Sequence, residues 1–168
     1  MDSLVSTQWL ADEMAASDLR IVDASAFLPE HGRDPRQEYE ACHIPGAVFM
    51  DLANLVDSSS PVPNTLPSAE KFASRMQALG LGDGSRIVVY DDSPIKTATR
   101  AWFMLTMFGA QNVAILDGGI AKWKAEGRPT ASGVETLRQR HFTIWSDTSH
   151  LRTKADVIAN LGTAAEQV

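Results

Sequence analysis

A single cysteine, Cys42, leaves this 168-residue chain without any internal disulfide, so its fold must stand on a buried core. Its four histidines, His31, His43, His141 and His150, show no metal-ligand spacing among themselves or with Cys42, which argues against a metal site. Lys and Arg do not cluster, and the net charge of -6 has the wrong sign for a general nucleic-acid surface. No apolar run approaches the roughly 20 residues that span a bilayer. The opening MDSLVSTQW lacks the basic start and apolar centre of a signal peptide, so the cytoplasm is the expected compartment. Phosphate-cradling glycine loops are missing too: Gly80, Gly82 and Gly84 follow a helical pattern and precede a strand, the wrong order for a dinucleotide or nucleotide cofactor. No cofactor is expected, and small molecules or proteins are the expected partners, with no nucleic acid and no membrane. What is present is a 44% hydrophobic, 21% charged composition, enough for one soluble domain with something left over.

Three apolar runs have the length and β-branched content of buried parallel strands: residues 19–24 (LRIVDA), 86–90 (RIVVY) and 113–116 (VAIL). Residues 47–50 (AVFM) form a weaker fourth. Helical patterns fall between them. Ser6 can cap a helix carrying Trp9, Leu10 and Met14, and Ser68 another with Phe72, Met76 and Leu79 on one face, stopped by Gly80. Gly118 and Gly119 open a short helix through Trp123 that ends at Gly127. The stretch from Ala98 to Phe108 is apolar nearly all round and belongs inside the domain; only Arg100 breaks it. This alternation predicts an α/β domain with a mainly parallel sheet of about five strands, helices on both faces, and the three strong strands central and adjacent.

The pattern divides the chain into a domain over residues 1–128, an extended linker over 129–150 and a new unit from 151 to 168. The linker is polar and poorly periodic and should run over the domain surface, pinned by Phe142 and Trp145. Order resumes where Thr153 and Asp156 make a capping box, Val157, Ile158 and Leu161 form an apolar stripe, and Gly162 stops the helix. This repeats the chain's opening: Leu4-Val5-Ser6, helix, Arg20-Ile21-Val22 parallels Leu151-Arg152-Thr153, helix, Glu166-Gln167-Val168. An internal repeat signals a duplicated unit. The expectation is that Val168 begins the first strand of a second domain and that the chain is a fragment; the alternative is an ordinary C-terminal helix docked on the domain.

Ligands of open α/β sheets sit beyond the carboxyl ends of the strands, which makes the loop after Tyr90 the first place to look for chemistry. It holds Asp91, Asp92, Ser93, Pro94, Ile95, Lys96 and Thr97, with neither Cys nor His. A phosphatase, which needs a loop Cys followed by an Arg, is thereby excluded.

Three motifs stand in order along the chain. They are Glu38-Tyr39 leading to His43-Ile44-Pro45-Gly46-Ala47; the strand and loop RIVVYDD with Arg100-Ala101-Trp102; and Leu116-Asp117-Gly118-Gly119 with Trp123. Together they resemble the rhodanese (sulfurtransferase) family over residues 4–130. More narrowly, Asp23-Ala24-Ser25, Gly32-Arg33-Asp34 with Arg36, and Tyr90-Asp91 resemble the N-terminal half of its two-domain thiosulfate and 3-mercaptopyruvate sulfurtransferases. The resemblance implies a three-layer rhodanese-like fold whose reactive cysteine lies in a C-terminal domain outside this chain. It implies that Asp91 occupies the place of the catalytic Cys, so no residue here is catalytic. Sulfane sulfur would pass from thiosulfate or 3-mercaptopyruvate to a thiol or cyanide acceptor through a persulfide on the partner domain's cysteine. The alternative is a stand-alone, inactive rhodanese-like module that binds a protein.

Within that frame Asp91, Arg100 and Asn64 are the substrate or domain-interface candidates. A carboxylate cannot carry a sulfane sulfur, so Asp91 reads as a loop anchor or interface residue. Arg100 can pair with Asp23, Asp91 or Asp117 at the strand ends, in preference to touching substrate. Mercaptopyruvate-type relatives place a His where Asn64 stands and an acid where Ala53 stands. Neither replacement can relay a proton, which leaves the donor open between thiosulfate and mercaptopyruvate. Cys42 has no cationic surroundings and is misplaced for catalysis. His43 belongs to a turn into a strand, with its ring bonded to nearby backbone.

Overall fold

The computed structural model describes residues 1–149 and 151–163. Its strands and α-helices follow in the order β1 (Leu4–Val5), α1 (Thr7–Glu13), β2 (Leu19–Asp23), α2 (Pro35–Ala41), β3 (Ala47–Phe49), α3 (Ala69–Ala78), β4 (Arg86–Tyr90), α4 (Ala98–Met107), β5 (Asn112–Leu116), α5 (Gly119–Ala125) and α6 (Lys154–Thr163). The five strands form one all-parallel sheet in the order β1-β5-β4-β2-β3, so β5, β4 and β2 are central and adjacent as expected. The fifth strand is the two-residue β1, which seats Leu4 beside Ile115 and Val5 beside Leu116.

Parallel sheets are buried on both faces, and the side-chain alternation of β4 shows how. Ile87 and Val89 point into a core shared with Phe72 and Met76 of α3 and Met104 and Leu105 of α4. Val88 and Tyr90 point the other way, onto Leu10 of α1 and Ile120 and Trp123 of α5. Helices therefore cover both faces. Their starts follow local chemistry. Ser6 accepts from the Trp9 amide and Ser68 from the Lys71 amide, while Asp34 accepts from the Arg36 and Gln37 amides with Pro35 at the first helical position. In the His43-Ile44-Pro45-Gly46-Ala47 stretch the Ala47 amide turns back to the Ile44 carbonyl at 2.9 Å, and β3 begins there.

The segment over residues 129–149 runs over the surface of the domain. Ala131 pairs with His43 through both backbone groups at 2.9 Å, and Leu137, Arg140 and His141 cross directly over Gly80 and Gly82. Phe142 pins it as expected, 4% exposed and edge-on to Phe72. Trp145 does not: the residue is 77% exposed, and the strap is held there by backbone, Trp145 N to Phe108 O at 3.1 Å. The Thr153–Asp156 box is reciprocal, each side chain accepting the other residue's amide. Gly162 is no stop, since α6 continues to Thr163. The strand expected at residues 166–168 lies outside the described residues. Among the described residues no helix is long and apolar enough to cross a membrane.

Candidate functional site

β2, β3 and β4 all end at one edge of the sheet, and the loops that leave them are tied into one face. Asp91, directly after β4, is 7% exposed. Its carboxylate accepts the Ala98 amide at 2.6 Å, which places a negative charge on the N-terminus of α4 and satisfies one of that helix's free donors. The Asp91 carbonyl accepts the Ile120 amide at 3.3 Å. A Cβ on Gly119 would fall 2.3 Å from that oxygen, so α5 reaches the loop only because glycine stands there. That contact gives the Asp117-Gly118-Gly119 motif its physical reason.

The sequence singled out Ser25 and Arg33 as motif residues without a structural role, and Thr97 only as a member of the loop. Thr97 donates to the Ala24 carbonyl at 2.8 Å and accepts the Ala26 amide at 3.1 Å; Ser25 accepts the Asp92 amide at 3.0 Å. Arg33 lies 3.8 Å over the Phe27 ring and forks between Glu38 and Asp92, with the Asp92 arm at 2.7 Å. Two of these carried a signal that could have been read. Asp23 and Ser25 have the spacing at which an aspartate accepts the amide two residues on, here at 2.9 Å, and Thr97 stands just ahead of an apolar helix.

Arg100 corrects an expectation. Among the described residues it forms no ion pair with Asp23, Asp91 or Asp117; it donates to the Asn64 carbonyl at 2.7 Å. The candidate acids are committed elsewhere: Asp91 to Ala98, Asp23 to Ser25, and Asp117 to Lys122 at 3.0 Å. Two of the three expected site residues, Arg100 and Asn64, are thus joined, and their bond ties α4 to the β3–α3 connection. Asn64 has φ +59°, a left-handed backbone that asparagine tolerates better than most residues. Desolvation lowers the Arg100 guanidinium from its usual value without removing its charge.

Four amides of the loop are already used. The amides of Asp92, Ile95, Lys96 and Ala98 point to Ser25 Oγ, Ser93 Oγ, the Ser93 carbonyl and the Asp91 carboxylate. A ring of free amides is what would hold a thiolate or persulfide. Here the Asp91 carboxylate takes one of those amides, that of Ala98, and no sulfur nucleophile is present in the loop.

Cys42 caps the C-terminal end of α2 and is half-buried. It shares a cavity of about 210 Å³ with Asp23, Glu38, Asp92 and Lys124, three carboxyl groups against one ammonium. Burial raises the Asp23 carboxyl above its ordinary value, the Ser25 hydrogen bonds opposing. His43 is fully buried, stacked on Tyr39 at 4.4 Å, with Nδ1 2.8 Å from the Tyr39 carbonyl. That agrees with its reading as part of the turn.

With this geometry in hand, known proteins are closely similar. The rhodanese-like domain family matches residues 6–126. The 3-mercaptopyruvate sulfurtransferase of Rattus norvegicus is 38% identical over 172 residues, which cover 99% of this chain and 58% of the rat protein. The thiosulfate sulfurtransferase of Gallus gallus is 37% identical over 172 residues, covering 99% of this chain and 59% of the chicken protein. Among solved structures, the rhodanese-fold SseA of Escherichia coli, described with the 3-mercaptopyruvate sulfotransferases, superposes with a TM-score of 0.93 at 34% identity, over 99% of this chain and 64% of that one. The chain therefore spans less than two thirds of the length of these relatives. Sheet order, loop geometry and sequence agree that this chain belongs to the rhodanese family.

Proposed function

We propose that these residues form the non-catalytic, N-terminal rhodanese domain of a two-domain sulfurtransferase. The parent enzyme would move sulfane sulfur from thiosulfate or 3-mercaptopyruvate to a thiol or cyanide acceptor through a persulfide on a cysteine outside this chain. The carrying observation is Asp91, which stands directly after β4 and spends its carboxylate on the Ala98 amide. Sulfur transfer needs a thiolate that attacks the sulfane sulfur, breaks its bond to the donor and holds it as a persulfide until the acceptor removes it. A carboxylate cannot complete that cycle.

The coverage supports the same reading, since a relative of full length has room for a second unit. So does the surface at the strand ends, where the three linked loops expose Leu28, Val62 and Ile95. A partner domain bringing the reactive cysteine would cover that surface. The experiment is a turnover assay on the purified chain with thiosulfate and cyanide, and with 3-mercaptopyruvate and a thiol. No thiocyanate or sulfide above the buffer rate is expected, and Cys42→Ser should leave that background unchanged. Turnover abolished by Cys42→Ser would overturn the proposal.

A further inference from the structure

The His43 side chain is 0% exposed, and its Nε2 has no hydrogen-bond partner among the described residues. Buried ring nitrogens are normally paired. The other ring nitrogen shows why this one is not. Nδ1 lies 2.8 Å from the Tyr39 carbonyl, which can only accept, so Nδ1 carries the proton and Nε2 of the neutral ring keeps a bare lone pair. Facing that lone pair at 3.9 Å is Oε1 of Glu135, on the surface strap. An ionised carboxylate also only accepts. Two acceptors cannot bond to each other, so the contact stays open until a proton enters between them.

The backbone holds Glu135 over the ring. His43 and Ala131 exchange both backbone bonds at 2.9 Å, the Gly133 amide donates to the Glu40 carbonyl at 2.7 Å, and the Glu135 amide donates to the Tyr39 hydroxyl at 3.1 Å. The Glu135 carboxylate makes no hydrogen bond among the described residues, and its side chain is 40% exposed. It needs to move only about 1 Å to reach the roughly 2.8 Å of a charge-assisted bond. Other ionisable groups stand around the stacked His43 and Tyr39 rings. Glu40 of α2, Asp23 of β2 and Glu135 itself all act electrostatically on Tyr39, and the Tyr90 hydroxyl of β4 accepts the Ile44 amide. Lys124 of α5 and Cys42 line the cavity beside Tyr39 together with Glu38 and Asp92, which Arg33 holds. Carboxylates predominate in this set, which favours a cationic ring.

We propose that His43 and Glu135 form a proton-operated latch: uptake of a proton at Nε2 closes their contact into an ion pair that fastens the strap over residues 131–135, and loss of the proton reopens it. The added hold is present at the acid end and disappears as pH rises through the titration of the ring. The strap is the route from the sheet to α6, so the latch sets how firmly its first part is held. It does not depend on sulfur transfer.

The test is hydrogen exchange of the whole chain between pH 8 and pH 5.5, with each rate divided by its intrinsic rate at that pH. Protection of the Ala131, Gly133 and Glu135 amides should rise about 3-fold or more toward pH 5.5. Imidazole nitrogen spectra should show the proton on Nδ1 at pH 8 and a second one arriving on Nε2 over the same range. Glu135→Ala leaves the charged ring unpaired and should show no gain in protection. Glu135→Gln offers an N–H to the bare nitrogen and an oxygen to the protonated one, so its protection should not depend on pH. A ring that stays neutral to pH 5.5, a bare Nδ1 at pH 8, flat protection in the parent, or the parent's rise repeated in either variant would overturn the proposal.

Discussion

α4 and α6 are both ten-residue helices with a clear apolar pattern, yet they have opposite fates. Ala98, Ala101, Met104, Leu105 and Met107 of α4 are buried, while α6 has no buried residue and leaves Ile158 58% and Leu161 80% exposed. A stripe states what a helix could bury; only a neighbouring surface decides whether it does. α4 packs against β4 and β5, whereas α6 stands at the end of a strap, held at its start by the Thr153–Asp156 box. The difference also locates the candidate chemistry, because α4 is the helix that Asp91 caps.

Breaking this comparison should be easiest by deleting the same side chain from each helix. Leu105→Ala removes a fully buried side chain and should destabilise the domain by about 2–5 kcal/mol in urea unfolding. Leu161→Ala should change it by less than about 0.5 kcal/mol. Equal effects would mean that α6 is packed after all.

At the head of α4, Asp91→Ala strips the acceptor from the buried Ala98 amide and should cost about 1–3 kcal/mol. Asp91→Asn keeps an oxygen in place and should recover most of that loss. An Asp91→Ala variant as stable as the parent would show that the carboxylate is not a structural anchor.

A smaller effect sharpens the contrast by pH. Burial raises the Asp23 carboxyl, so the folded chain holds that proton more tightly than the unfolded chain. The stability this gives is complete at pH below the unfolded value near 3.8 and is lost as pH rises through the higher folded value. In Asp23→Asn the side-chain amide stays neutral throughout while keeping an acceptor for the Ser25 amide. The stability difference between this variant and the parent should therefore move in favour of the variant between about pH 3 and pH 7. A difference flat with pH would contradict the assigned shift.

Much of this was legible in the sequence because most of it is local. The strands at 19–24, 86–90 and 113–116, the caps at Ser6 and Ser68 and the Thr153–Asp156 box follow from periodicity and one side chain each. What escaped depends on the third dimension. β1 has two residues, too few for any period, and exists because β5 offers it an edge. Trp145 was expected to pin the strap, but backbone bonds to Phe108 and Met107 do so and free the indole. Gly162 stops a helix only where its backbone turns left-handed, and here it keeps helical geometry inside α6. Arg100 was expected to find an acid; the acids were taken, and it found the Asn64 carbonyl. For the candidate site, the sequence located the loop and its missing nucleophile. It named Ser25 and Gly119 as motif residues and Thr97 as a loop residue, but not the contacts by which they anchor the loop, which act across 28 to 73 residues of chain.

The proposal made for this rhodanese-like domain is that it cannot itself carry sulfur. Intact-mass spectrometry of the chain and of Cys42→Ser, after incubation with thiosulfate and with 3-mercaptopyruvate under non-reducing conditions, tests it most directly. The expected result is an unchanged mass for both proteins. A gain of one sulfur atom by the parent chain, reversed by cyanide and absent from Cys42→Ser, would contradict it and move the reactive centre to the cavity beside Asp23.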